Sequence, residues 1–169
     1  TIDGNSKVLA FAGNSTNRAV LNFNGVDYLT IKNLTIRNTG TYTGVRGIWI
    51  HNGSDYNVID NNTIEFSGIT TGTTSTTSGG AYITFTGSSS SMRSAGNHGS
   101  YNKITNNTMT TTNGNEEGPM AGIYIYSSTT SSSSSNTIDD NEITNNTIKN
   151  FFNYGIYVFN NNGIKISGN

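Results

Sequence analysis

One stretch of eighteen residues lies on another without a gap, and this repeat constrains the fold more than any other feature. AVLNFNGVDYLTIKNLTI, Ala19 to Ile36, matches GIWIHNGSDYNVIDNNTI, Gly47 to Ile64, at an offset of 28. Asn24/Asn52, Gly25/Gly53, Asp27/Asp55, Tyr28/Tyr56, Ile31/Ile59, Asn33/Asn61, Thr35/Thr63 and Ile36/Ile64 are identical pairs. The second half of the unit returns as KITNNTM (Lys103 to Met109), as EITNNTI (Glu142 to Ile148) and, shortened, as KISGN (Lys165 to Asn169). Two apolar residues five apart, separated by a polar stretch with Asn, fit neither a helix face nor one alternating strand. They fit two short strands meeting at a bend, where Asn tolerates left-handed backbone angles. Stacked copies would let Asn62, Asn107 and Asn146 hydrogen-bond in a ladder along the stack.

Each unit then reads as a strand (G-I-aromatic-I), a loop, a strand (N-V-I-D), an Asn bend, a strand (T-I-x-F) and a loop. One such coil cannot bury its own isoleucines, but coils stacked about 4.8 Å apart share a continuous core. The expectation is an all-β, three-sheet parallel β-helix of about five coils, open at both ends. The coils lie near 19–46, 47–79, 80–121 and 122–154, with partial coils at 1–18 and 155–169, in one segment spanning 1–169. Near Asp139 both IDDNEI and ITNNTI fit the template, and the compact return to Gly155 favours Ile143 and Ile148 as the core pair. Neither end reads as a polar cap, so neighbouring coils or chains are expected there.

These residues resemble the right-handed parallel β-helix repeats of the pectate-lyase-like superfamily, over nearly the whole chain. The resemblance implies the fold. It leaves the function among polysaccharide lyases, hydrolases and epimerases, phage tailspikes, and repeat segments of large secreted bacterial surface proteins.

Composition narrows the classes. Of the 169 residues 32% are apolar and 11% charged, with a net charge of −1, so no basic stripe is available for nucleic acid. No stretch is apolar for the length of a membrane span. Without cysteine there are neither disulfides nor thiolate metal sites. Acid/base pairs are sought in Asp139 with Asp140 and Glu116 with Glu117, but adjacent strand residues point to opposite faces. The tripeptide NHG at Asn97 lies upstream of the Asp doublet, the reverse of the order in the polygalacturonases of that superfamily. Asp55, Asp60 and Arg46 share a coil without partner carboxylates in the next, which argues against calcium-dependent lyase chemistry. His51 and His98 read as surface residues, Asp27 and Asp55 as turn formers. The N-x-S/T triplets follow from the bend pattern rather than from glycosylation. No cofactor or metal is expected.

The aromatics remain. Aligned on their glycines, GIWI, GAYI, GIYI and GIYV put Trp49, Tyr82, Tyr124 and Tyr157 in one slot, and strand alternation turns that slot outward when the isoleucines face in. Tyr126 and Phe159 continue a second column with His51 and Thr84. The Ser/Thr-rich insertions Ser67–Gly80, Thr86–Ser100 and Ser127–Ser135 flank this sheet, and the superfamily resemblance implies a groove between them. The reading is a rigid structural or adhesive module of a secreted or cell-surface bacterial protein. It would engage a polysaccharide or another surface ligand through Trp49, Tyr82, Tyr124, Tyr126, Tyr157 and Phe159. The alternatives are a polysaccharide-active enzyme of the superfamily and a tailspike-like trimer.

Overall fold

The computed structural model describes residues 1–75, 79–87, 91–94, 96–112, 117–126 and 138–169, with 138–139 by backbone alone. Glu116, the serine run 127–135 and parts of the other two insertions lie outside the described residues. No helix occurs among those described, and every strand pairing is parallel.

Three sheets form a parallel β-helix. The first stacks Ile2–Asp3, Thr30–Lys32, Val58–Asp60, Lys103–Thr105, Glu142–Thr144 and Lys165–Ser167. The second stacks Val8–Phe11, Thr35–Asn38, Thr63–Phe66, Thr108–Thr111 and Thr147–Ile148. The third, with longer strands, stacks Ala19–Asn24, Arg46–His51, Ala81–Phe85, Ala121–Tyr126 and Tyr154–Phe159. A short fourth pairing joins Ile138–Asp139 to Asn161–Asn162.

The interior is a set of axial columns. Ile31, Ile59, Ile104 and Ile143 pair in sequence in the first sheet and are buried. Ile36, Ile64 and Met109 do the same in the second, continued by Ile148. In the third, Ile48, Ile83 and Ile123 form one column and Ile50, Phe85 and Ile125 another. β-branched side chains suit the pleat, and each fully buried isoleucine contributes about 1.5–3 kcal/mol relative to exposure. At the doubtful register Ile104 pairs with Ile143 and Met109 with Ile148.

Two bends bracket the first sheet, and they are built alike. At the bend into the second sheet Asn33, Asn61, Asn106 and Asn145 take left-handed φ of 54°, 52°, 57° and 57°. The next residue in all but the first of these coils is a buried Asn. The backbone N–H and side-chain amide of Asn62 donate to Oδ1 of Asn107 at 2.9 and 3.1 Å, and those of Asn107 to Oδ1 of Asn146 at 3.0 Å each. Each side-chain amide also reaches a carbonyl of the coil before, as Asn107 does to Ile59 O at 2.8 Å. The ladder begins at the Leu34 N–H, which donates to Asn62, and runs on to Asn169. At the bend from the third sheet the left-handed seat is Tyr28, Tyr56, Tyr101 and then Asp140, at 56°, 57°, 57° and 54°. Behind it runs a second buried ladder that the sequence reading missed, Asn57 to Asn102 to Asn141, with bonds of 2.9–3.0 Å.

Candidate functional site

The outer face of the third sheet is where the aromatic column is expected, and its register differs from the one inferred from the glycines. Ile48 pairs with Ile83 and Trp49 with Thr84, so Tyr82 falls two positions short of the slot. In the structure the column runs Asn22, Trp49, Thr84, Tyr124, Tyr157. Tyr82 instead joins the interior, its ring 4.8 Å from that of Phe66 and its hydroxyl donating to the carbonyls of Lys149 and Asn150. The cause is the inner corner of the coil. A Cβ on Gly47 would overlap Ile64 Cγ2, and one on Gly122 would overlap Ile148 Cγ2. Those glycines leave space that neighbouring core side chains fill, whereas the coil of Tyr82 fills the corner with its own ring. Gly80, which looked equivalent, packs elsewhere, against Val45 O.

The column also proves to be largely covered. Ala81, Ala121 and Tyr124 are buried under Met92, from the insertion after Phe85, and Met120, in a cluster separate from the interior core. Tyr124 stacks on Tyr157 at 4.6 Å and 6°, and Tyr126 on Phe159 at 4.9 Å and 10°. Burial pushes the Tyr124 hydroxyl up to about 12. Tyr126 and Tyr157 are half-buried and Phe159 is exposed. The outward direction of Trp49 against an inward Ile48 holds, but the six aromatics do not form one open platform.

Trp49 anchors a polar group. Its indole N–H donates to Thr86 Oγ1 at 2.6 Å, the His51 ring stacks on it at 4.3 Å, and the Arg46 guanidinium lies 4.3 Å from its centroid. His51 Nε2 bonds Asn22 Oδ1 at 2.6 Å. Both His51 and Arg46 are buried rather than at the surface. Burial foremost, and then Arg46, lower the His51 pKa. Burial foremost, and then Arg18, disfavour the charge of Arg46, although a guanidinium keeps its proton at neutral pH. Beside this group a groove of about 430 Å³ runs from Leu9 and Phe11 past Arg18 to Trp49.

The carboxylates are spent on holding coils together. Asp27 Oδ1 accepts the Asp55 N–H at 2.8 Å and Asp55 Oδ1 the Ser100 N–H at 2.7 Å. They therefore cap the next coil rather than their own turn. Asp60 accepts from Thr105 and Asn106, and Glu117 from the Gly72 N–H. Asp140 sits at the tyrosine bend, whereas Glu116 and the Asp139 side chain lie outside the described residues. Among the described residues no group of three or more acids or histidines could hold a metal. His98, expected at the surface, is buried, and burial lowers its pKa to about 4.

The aromatics that do stand open are at the bend. Tyr28, Tyr56 and Tyr101 are 74%, 43% and 41% exposed. Their rings stack at 4.9 and 4.7 Å, within 4° and 6° of parallel. A left-handed seat costs a Cβ-bearing residue other than Asn or Asp about 1–2 kcal/mol, and each stack returns about 0.5–1.5 kcal/mol. Two stacks do not offset three strained seats, so local geometry alone does not favour tyrosine there. The signal was in the repeat, where Tyr28 and Tyr56 are an identical pair.

Residues 18–169 match the family model of the right handed beta helix region. The chain belongs to the right-handed β-helix family. No curated protein and no solved structure matches it. Membership in the β-helix family accounts for the isoleucine columns and the paired bends, and it assigns no role to the tyrosines.

Proposed function

We propose that this chain is a rigid structural and adhesive module of a secreted or cell-surface bacterial protein, presenting a side of its solenoid to a polysaccharide or another surface ligand. The observation that carries the reading is the buried amide ladder from Leu34 through Asn62, Asn107 and Asn146 to Asn169. It ties each coil to the next by bonds that do not depend on loop length, as a load-bearing shaft requires. Outward aromatic stacks run along the same axis, and carboxylates bridge successive coils.

The test joins mechanics to location. Pulled end to end as a single molecule, the chain should resist as one unit and yield at lower force when Asn107→Ala interrupts the ladder. Antibody against it should label intact cells of the source organism. Labelling only after lysis would overturn the surface reading. Cleavage of polygalacturonate or alginate by the chain, lost in Asp55→Asn, would replace it with an enzymatic one.

A further inference from the structure

The two bends beside the first sheet provide an internal comparison. One seats Asn in the left-handed position of successive coils, and the other, with the same φ and the same kind of ladder behind it, seats Tyr28, Tyr56 and Tyr101. Since turning the chain needs only Asn, the tyrosines answer to something outside the turn. They stand at the surface, in register, edges outward.

The same ridge is acidic. Asp27 and Asp55 precede two of the tyrosines, and Asp140 takes the tyrosine seat in the next coil. The bend segments 24–29, 52–57, 97–102 and 138–141 contain neither Lys nor Arg. His98 is buried there, and its lowered pKa keeps it neutral. The nearest cations on the first sheet are engaged, Lys103 and Lys165 with Glu142 and Lys32 with Asp3. Among the described residues none of the ion pairs involves Asp27, Asp55 or Asp140. The Asp55 carboxylate is held above the usual range, by burial first and also by Asp27 beside it. A cation brought between them would relieve that repulsion.

We propose that this ridge docks a basic segment of a partner protein, its guanidinium or ammonium groups donating to the Asp27, Asp55 and Asp140 carboxylates and to the tyrosine hydroxyls. The ring faces are taken up by one another, so the cations are recognised by charge-assisted hydrogen bonds rather than over a π face. The ridge repeats every coil, about 4.8 Å, over four coils, which suits a linear polycation better than a single small ion. The inference names a site and a partner charge for the adhesive part of the reading above, and rests on it.

The probe is a hexa-arginine peptide titrated into the 169-residue chain at low and high salt, read by NMR shifts of the tyrosine rings. Binding should weaken as salt rises. Asp27→Asn with Asp55→Asn and Asp140→Asn keeps the Oδ1 acceptors, so the melting temperature should hold while affinity falls roughly tenfold or more. Tyr28→Asn with Tyr56→Asn and Tyr101→Asn keeps a residue suited to the seat, and should weaken binding to a similar degree. The idea is overturned if the native chain does not bind the peptide, if either triple variant binds it undiminished, or if a neutral oligosaccharide shifts the same rings in its place. Failure here with intact pulling behaviour removes only the docking ridge, whereas loss of axial stiffness would remove the shaft.

Discussion

The bend into the second sheet and the bend from the third are the same device with different faces. Each turns on a left-handed residue followed, in most coils, by a buried Asn whose amide bonds the next coil. At the first bend the turning residue is the best suited non-glycine, and its side chain bonds its neighbour, as Asn61 does Asn33 at 2.7 Å. At the second it is a strained, exposed tyrosine. Burial separates the two contributions, because a buried amide with unmade bonds is costly whereas an exposed ring can leave its stack into water. Stability therefore comes from the ladders, and the tyrosine ridge is available for contact.

The largest expected effect breaks the buried side of that comparison. Asn107→Ala would strand the Asn62 N–H and the Ile59 carbonyl, destabilising the chain by about 4 kcal/mol in denaturant unfolding. Asn102→Ala, behind Tyr101, should cost a similar amount if the two ladders are equivalent. Next comes acid, through His98 near the tyrosine bend. Its pKa is depressed from 6.5 to about 4 by burial, so below pH 6.5 the unfolded chain binds a proton that the folded chain refuses. Stability is complete above that pH and is lost as pH falls toward 4, by about 3 kcal/mol at most. His98→Gln should flatten the melting temperature across this window.

Met92→Ala tests the covered face. It removes a buried side chain beside Tyr124, at about 2 kcal/mol, and should bring the Tyr124 hydroxyl down from about 12, measured by spectrophotometric titration. The smallest effect belongs to the ridge. Tyr56→Asn relieves a strained seat while losing two stacks, for a net change within about 1 kcal/mol. A change as large as that of Asn107→Ala would mean the tyrosines serve stability after all.

Much of this was legible because it is local. The spacing of Ile59 and Ile64 about an Asn pair specifies two strands and a bend wherever it occurs, and the Asn62–Asn107–Asn146 column follows from stacking such bends. The second ladder escaped notice although N-V-I, N-K-I and N-E-I stand in register at Asn57, Asn102 and Asn141. An Asn before a strand reads as loop until its neighbour in the next coil is known. Tyr82 was misplaced because a glycine before an aromatic resembles Gly47 in sequence, while its packing differs. The site was less legible than the fold, since exposure depends on what an insertion covers.

From its residues alone the chain is a stacked coil with isoleucine inside and Asn at the turns, because each unit carries its own bend and cannot bury its own core. Only the assembled solenoid decided which aromatics meet water. Met92 and Met120 close over Tyr124 from segments whose contact no periodicity encodes, and the pairing of Ile48 with Ile83 turns Tyr82 inward. Tyr28, Tyr56 and Tyr101 stay open because no described segment is folded across that bend.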